Sequence, residues 1–169
     1  LPIEDPKVTF LMPSMGELGS RALAAAMRGV GFNAKAHRPS DESILKIGRG
    51  NTSCKECLPL ILTTGTLLDY IQHHRQPGEI IVYFMPSGSG PCRFGQYHVF
   101  IEDLIRKERI PDTAVYTLSS DSSYDGAPTG TQRRMWWGIV ISDLFEDMRA
   151  MLLANAGDSE AAMTLFYEQ

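Results

Sequence analysis

Glu79-Ile80-Ile81-Val82-Tyr83-Phe84-Met85 is the stretch that decides the fold. Apolar residues, most of them β-branched or aromatic, stand in an unbroken row from 80 to 85, and Pro86 ends it. A strand with one wet face alternates apolar and polar residues. A continuous row belongs to a strand covered on both faces, as in a parallel sheet under helices. Working outward, Val8-Thr9-Phe10-Leu11-Met12 repeats the pattern and stops at Pro13. Phe32 to His37, closed by Pro39, and Ala114 to Leu118, after the Pro111-Asp112 turn, are two further strand-length runs. Helical patterns separate them. Ser20 to Val30 has Ser20 as N-cap and stops at Gly31, and a short helix runs from Ser40-Asp41-Glu42-Ser43 to about Ile47, broken by Gly48 and Gly50. Leu58 to His74 follows, with Pro59 in its first turn, and then Phe94 to Glu108. After the polar loop Ser119 to Gly130, Thr131 to Asn155 reads as a long helix and Asp158 to Tyr167 as a short one. This alternation predicts an α/β fold: a three-layer sandwich with a mostly parallel sheet of four strands, or slightly more, and helices on both faces. Residues 1–155 make that single domain and 156–169 a helical tail. The chain opens at Leu1 without Met and enters a strand almost at once, so it is expected to be a fragment of a larger multidomain chain.

Composition narrows the function classes. With 169 residues, 43% hydrophobic and 21% charged, the chain can build one core and is neither disordered nor fibrous. Sixteen basic residues against twenty acidic ones leave a net charge of −4 without any Lys/Arg block, which argues against nucleic acid and against an anionic membrane surface. No run of 18 apolar residues and no secretory leader pattern is present, so the expected location is the cytoplasm. Three cysteines are too few, and odd in number, for a secreted disulfide scaffold.

Ligands of open parallel sheets bind beyond the carboxyl ends of the strands, where loops lead into helix N-termini. The two longest apolar strands end there in Pro13-Ser14-Met15-Gly16 and Pro86-Ser87-Gly88-Ser89-Gly90-Pro91-Cys92. Cys54 and Cys57 stand just before the helix opening at Leu58, so all three thiols fall at helix N-termini, flanked by Lys55 and Arg93. The positive end of a helix dipole and a neighbouring cation both favour the thiolate, the form that binds metal or attacks. Three readings stay open. Free cysteine is often a small buried hydrophobe, although these lie beside Gly, Pro and charge. Cys54-Lys55-Glu56-Cys57 is a C-x-x-C at a helix start and fits a dithiol switch, although it does not follow a strand directly. Three thiolates also suit a [4Fe–4S] cluster whose fourth iron takes water, substrate or a partner ligand. Structural zinc wants four ligands, and His98 lies about 9 Å along a helix from Cys92.

Other residues read as scaffold. Gly88-x-Gly90 followed by Gly95 is not a dinucleotide fingerprint, and its glycines serve a sharp strand-to-helix turn as readily as a phosphate or a cluster sulfide. His73-His74 closes a helix, where imidazolium suits the dipole. Asp121 and Asp125 are turn formers in a Ser/Gly loop. Trp136 and Trp137 point about 100° apart, one expected in the core and the other against a partner domain. Glu17 and Glu56 lie near the proposed site, yet no paired carboxylates and no Ser–His–Asp spacing are visible, so the chain shows no self-contained catalytic machinery.

Thr52-Ser53-Cys54-Lys55-Glu56-Cys57-Leu58-Pro59, with Thr63-Thr64-Gly65 beyond it, and Gly90-Pro91-Cys92-Arg93-Phe94-Gly95-Gln96-Tyr97 resemble signatures of one family. It is that of the CoA-substrate-specific enzyme activases, large multidomain relatives of the 2-hydroxyglutaryl-CoA dehydratase activator from anaerobic bacteria, and their dehydratase-like domains. The resemblance runs from the first strand to about residue 150. It implies an iron–sulfur-binding redox module, an electron relay or acceptor, with Cys54, Cys57 and Cys92 as the metal-binding cluster thiolates. The loops around Ser14, Met15 and Gly16 and around Ser87, Gly88 and Gly90 would line the cofactor. The implied partners are an ATPase domain of the sugar kinase/Hsp70/actin type, in the same or a companion chain, and acyl-CoA dehydratase or reductase subunits. No phosphate loops of the ATPase type occur here, so the chain is not expected to hydrolyse ATP by itself. The alternative is a non-catalytic nucleotide- or CoA-binding, or docking, α/β domain without a metal centre.

Overall fold

The computed structural model describes residues 2–53, 55–127 and 130–168. Strands β1 (Val8–Met12), β2 (Ala34–Ala36), β3 (Ile80–Phe84) and β4 (Thr113–Tyr116) form one sheet in the order β2-β1-β3-β4. All three pairings are parallel, with Phe10 opposite Ala34, Leu11 opposite Tyr83, and Val82 opposite Ala114. An isolated parallel bridge between Ser87 and Ser119 prolongs the β3–β4 edge.

Burial on both faces explains the unbroken apolar rows. Leu11, Ile81, Tyr83 and Met85 point to one side and meet Leu60, Leu67, Tyr97 and Ile101. Those partners belong to α3 (Leu58–Asp69) and α4 (Tyr97–Lys107). Phe10, Met12 and Phe84 point to the other side, against Ala24 and Met27 of α1 (Glu17–Arg28) and the partly buried Met135 of α5 (Thr131–Asn155). This is the expected α/β sandwich, with four strands among the described residues. The helix α2 (Glu42–Gly50) lies on α3, and α6 (Ser159–Glu168) lies on α5. No helix among the described residues is long and apolar enough to cross a membrane.

Several element boundaries differ from expectation. The helix α1 begins at Glu17, with Gly16 at the cap position and φ at 130°, a conformation that glycine adopts without strain. Ser20 is therefore not the N-cap. It sits buried in the first turn, its hydroxyl donating to Pro13 O at 3.0 Å and accepting from Met15 N–H at 3.1 Å. That one hydroxyl fixes the loop beyond β1. Ser20→Ala leaves the Pro13 carbonyl and the Met15 N–H without this partner, and is expected to lower stability by about 1–2 kcal/mol in urea unfolding.

Asp41 does cap α2, accepting from Ile44 N–H at 3.0 Å. The helix then runs through Gly48 and ends at Gly50 instead of breaking at Ile47. Gly48 is a packing residue, since a Cβ there would lie 2.0 Å from Ile61 O of α3. The strand β2 is shorter than the expected Phe32 to His37. The expected helix to His74 changes character after Asp69, where residues Tyr70–His74 form a π-helical turn. A 3-10 turn at Arg93–Gln96 precedes α4, where a helix from Phe94 was expected.

Both tryptophans are exposed, Trp136 at 62% and Trp137 at 59%, so neither enters the core. The helix α5 instead seats a stripe of small residues on α1: a Cβ on Gly138 would stand 3.3 Å from Ala22 Cβ, and the Ser142 hydroxyl stands 3.5 Å from the corresponding point on Gly19. Thr131 and Ser142 are its buried positions, and residues 136 and 137 fall beside that stripe.

Candidate functional site

Strand order reverses between β1 and β3: the chain leaves β1 for β2 on one side, then returns past β1 to β3. This switch point is where parallel sheets open a crevice at their carboxyl ends. The loop 13–16 beyond β1 enters it from one side. It borders an open cleft of about 680 Å³, whose lining includes Ser40, Leu58, Pro59 and Arg149. It also borders a smaller apolar hollow of about 250 Å³ shared with Pro86, Phe94 and Trp136.

Beyond β3, Ser87 is taken up by the sheet, its N–H donating to Leu118 O and its carbonyl accepting from Ser120 N–H, both at 3.1 Å. Gly88 is packed from two sides. Its own Cβ would meet Ser120 Oγ at 2.6 Å, and a Cβ on Gly95 would lie 2.0 Å from Gly88 O. The 3-10 turn therefore rests directly on the Gly88 peptide, while Gly90 has open space around it. Asp121 ties this loop to the one beyond β4 by accepting from Ser89 Oγ at 2.8 Å. The turn-forming glycine reading accounts for Gly88 and Gly95.

Cys57 is the N-cap of α3 and Cys92 the N-cap of the 3-10 turn, and neither side chain makes a capping hydrogen bond. Cys57 is half-buried and Cys92 exposed, both free thiols. Their segments are neighbours. The Cys57 Sγ lies 2.7 Å from the Tyr97 hydroxyl, and Arg93 pairs with Glu56 at 4.0 Å. Tyr97 is 3% exposed, and its pKa is pushed well above the ordinary phenol value. Burial is the main cause, with the hydrogen bond to Cys57 adding to it. A tyrosine held protonated is the donor whenever the sulfur beside it is ionised, so Tyr97 stabilises a thiolate or a metal-bound sulfur at Cys57. Cys54 lies outside the described residues.

Charge-bearing groups that the sequence reading treated as scaffold, or passed over, gather elsewhere. His37, just after β2, Asp69, the last residue of α3, and His74 in the π turn have side-chain donor atoms within 4.8 Å of one another. Burial pulls the His37 pKa below the ordinary imidazole value, although the Arg38 carbonyl and the Asp69 carboxylate pull it up. His73-His74 is thus more than a helix end suited to the dipole. The available signal was an aspartate followed four and five residues later by histidines, of which a regular α-helix brings only the first to the aspartate's side. Compared with models of known families, with curated proteins and with solved structures, the chain matches none of them.

Proposed function

We propose that this domain is a redox module that binds an iron–sulfur cluster through Cys57, Cys92 and Cys54, within an ATP-driven CoA-enzyme activase or 2-hydroxyacyl-CoA dehydratase-like system. The single observation that carries the reading is the meeting of the Cys57 and Cys92 segments, through the Cys57–Tyr97 contact and the Glu56–Arg93 pair, with both sulfurs free of capping bonds. Helix N-termini and the Tyr97 hydroxyl supply the partial positive charge that thiolate ligands need. When bound, a cluster of this kind accepts and passes on one electron at a time. This chain's own residues hold it, with Arg93 and Glu56 closing the surface between the two cysteine segments. The ATPase and the acyl-CoA enzyme would be partners.

Protein made and purified without oxygen is expected to hold about four iron atoms per chain, matched by acid-labile sulfide. Cys57→Ser and Cys92→Ser are each expected to lose most of that iron while keeping the far-ultraviolet circular dichroism of the parent. Iron near zero after reconstitution would end the proposal. Tyr97→Phe should retain iron but shift the reduction potential to more negative values in an EPR-monitored titration, because hydrogen bonds to sulfur stabilise the reduced state.

The 680 Å³ cleft favours a second reading, a docking or nucleotide- and CoA-binding domain without metal. It has the volume of a small-molecule site. Calorimetry with CoA esters and nucleotides discriminates, since binding heat without iron would support this reading.

A further inference from the structure

His37 and Asp69 are 7% and 4% exposed, among the most deeply buried charge-bearing side chains of the described chain. The His37 Nε2 and Asp69 Oδ2 atoms lie 3.1 Å apart, yet neither has a hydrogen-bond partner, because the pair is close without being aligned. On its other side the His37 ring meets Arg38 O through Nδ1 at 3.1 Å. A carbonyl only accepts, so Nδ1 carries the proton, and the Nε2 of a neutral ring then presents a lone pair. An imidazole nitrogen and a carboxylate oxygen, both acceptors, then share one buried space with no donor between them, an arrangement that is costly unless a cation lies there.

A third donor completes the set. His74 Nε2 stands 3.5 Å from Asp69 Oδ2. In a regular α-helix a residue five positions on is turned ~140° away. The π turn at Tyr70–His74 widens the helix so that residue 74 returns to the side of residue 69. Turns of this kind recur at functional sites because they reposition side chains at the expense of regular hydrogen bonding. His73 Nδ1 lies 3.1 Å from the other carboxylate oxygen, Asp69 Oδ1, and so orients the carboxylate. The His37 backbone N–H donates to Met12 O at 2.9 Å and fixes the ring's origin on the sheet.

From the donor set and spacing we infer that His37, Asp69 and His74 bind a divalent transition metal ion of the zinc type, with His73 positioning the carboxylate. Four ligands at 2.0–2.1 Å around zinc are separated by about 3.3 Å, and the two separations from Asp69 Oδ2, 3.1 Å to His37 and 3.5 Å to His74, bracket that edge. Two imidazoles and one carboxylate are a borderline donor set, suited to Zn²⁺, Co²⁺ or Fe²⁺ and poor for Ca²⁺ or Mg²⁺. A hollow of about 280 Å³ lined by Lys35, Ala36, His37, Arg38, Tyr70 and His74 adjoins the site, so water or a small anion can reach the ion. The bond from His37 Nδ1 to a backbone carbonyl and the one from His73 to Asp69 are the outer contacts that metal sites use to orient their ligands. Arg38 is the competing cation. Its guanidinium stands 3.6 Å from Asp69 Oδ2, but it is also bonded to Asp41 and Ser43 at the surface.

Chelator-treated full chain titrated with Co²⁺ and Zn²⁺ tests the assignment. The expected result is saturable binding of one Co²⁺ per chain with the visible d–d bands of a nitrogen- and oxygen-ligated ion, told apart from any Co²⁺ taken up by the cysteines because it adds no sulfur-to-metal charge-transfer band. His74→Ala removes a half-exposed ligand, so its fold is not at stake, and it should weaken binding at least about tenfold. Arg38→Gln should tighten it. Absence of those sulfur-free d–d bands at saturation, affinity unaltered in His74→Ala, or weaker binding in Arg38→Gln would each overturn the site. Asp69→Asn and His37→Gln are less informative because both side chains are buried. The cysteine proposal stands or falls on iron and sulfide content, independently of this titration.

Discussion

Gly48→Ala is expected to destabilise the domain by about 3 kcal/mol or more, a large share of the ~5–15 kcal/mol that holds a typical domain folded. The helices α2 and α3 meet through reciprocal glycines. A Cβ on Gly48 would lie 2.0 Å from Ile61 O, and one on Gly65 would lie 2.2 Å from Ile44 O. The obstructing atoms are backbone carbonyls, which no change of rotamer removes, so the helices must separate. Separation opens the packing around Ile44 and Ile61, both buried. An alanine elsewhere in a helix would do the reverse, gaining up to ~1 kcal/mol over glycine. Gly50→Ala, at the end of the same helix with open space around it, is the matching control and should be neutral or mildly stabilising. Urea unfolding of the two variants reads the difference directly. Equal stabilities would mean that α2 does not rest on α3 as described. The contact also bears on both proposed sites, because α3 carries Cys57 at its start and Asp69 at its end.

Glu79→Gln is expected to cost roughly 3 kcal/mol at neutral pH and to abolish a defined acid dependence of stability. Glu79 is 7% exposed. Its Oε1 accepts from the Thr9 hydroxyl, from the Tyr70 hydroxyl at 2.8 Å and from Lys35 Nζ at 3.2 Å. Its Oε2 accepts from Gln76 N–H at 2.8 Å. Burial alone would raise the pKa. The donors, Thr9 first among them, outweigh burial and bring it from 4.5 down to about 2. A folded-state pKa below the unfolded one stabilises the protein above the unfolded value. That contribution is therefore fully present above about pH 4.5 and is lost as pH falls toward about 2. In the amide variant this segment of the stability–pH curve should flatten, and at pH 7 an NH₂ group faces donors it cannot satisfy. Lys35→Met removes only a half-exposed partner and should cost below about 1 kcal/mol. Parallel acid slopes for the parent chain and Glu79→Gln would show that other carboxylates govern the acid limb.

The carboxyl edge of the sheet was legible as a place. Pro13 and Pro86 end the two central strands, and the residues after them enter loops at the switch point, as continuous apolar strands and parallel topology require. Cys57 as a helix-start residue and the helix start at Ser40-Asp41-Glu42-Ser43 were legible too, since capping depends on a few neighbouring residues. Gly48 misled in the opposite direction, since it reads as a break and is a close approach. A glycine in a sequence signals either a break or a close approach, and only the partner backbone distinguishes them. For Trp136 and Trp137, size and hydrophobicity suggested a core position for one of the two, whereas the close seating of α5 on α1 uses small residues at 138 and 142 and leaves both indoles exposed.

By itself the sequence determined the alternation of strands and helices, the burial of both sheet faces and the loops in which the cysteines stand. Each follows from periodicity and turn chemistry acting over a few residues. Tertiary structure decided which distant groups meet. The meeting of Cys57 with Tyr97 requires α3 and α4 to share one face of the sheet. That of His37 with Asp69 and His74 requires the crossover that carries α3 past β2, and then a π turn that shifts the helical phase by one residue. No local pattern encodes such a phase shift, because the hydrogen bonds given up there are compensated by packing across the fold.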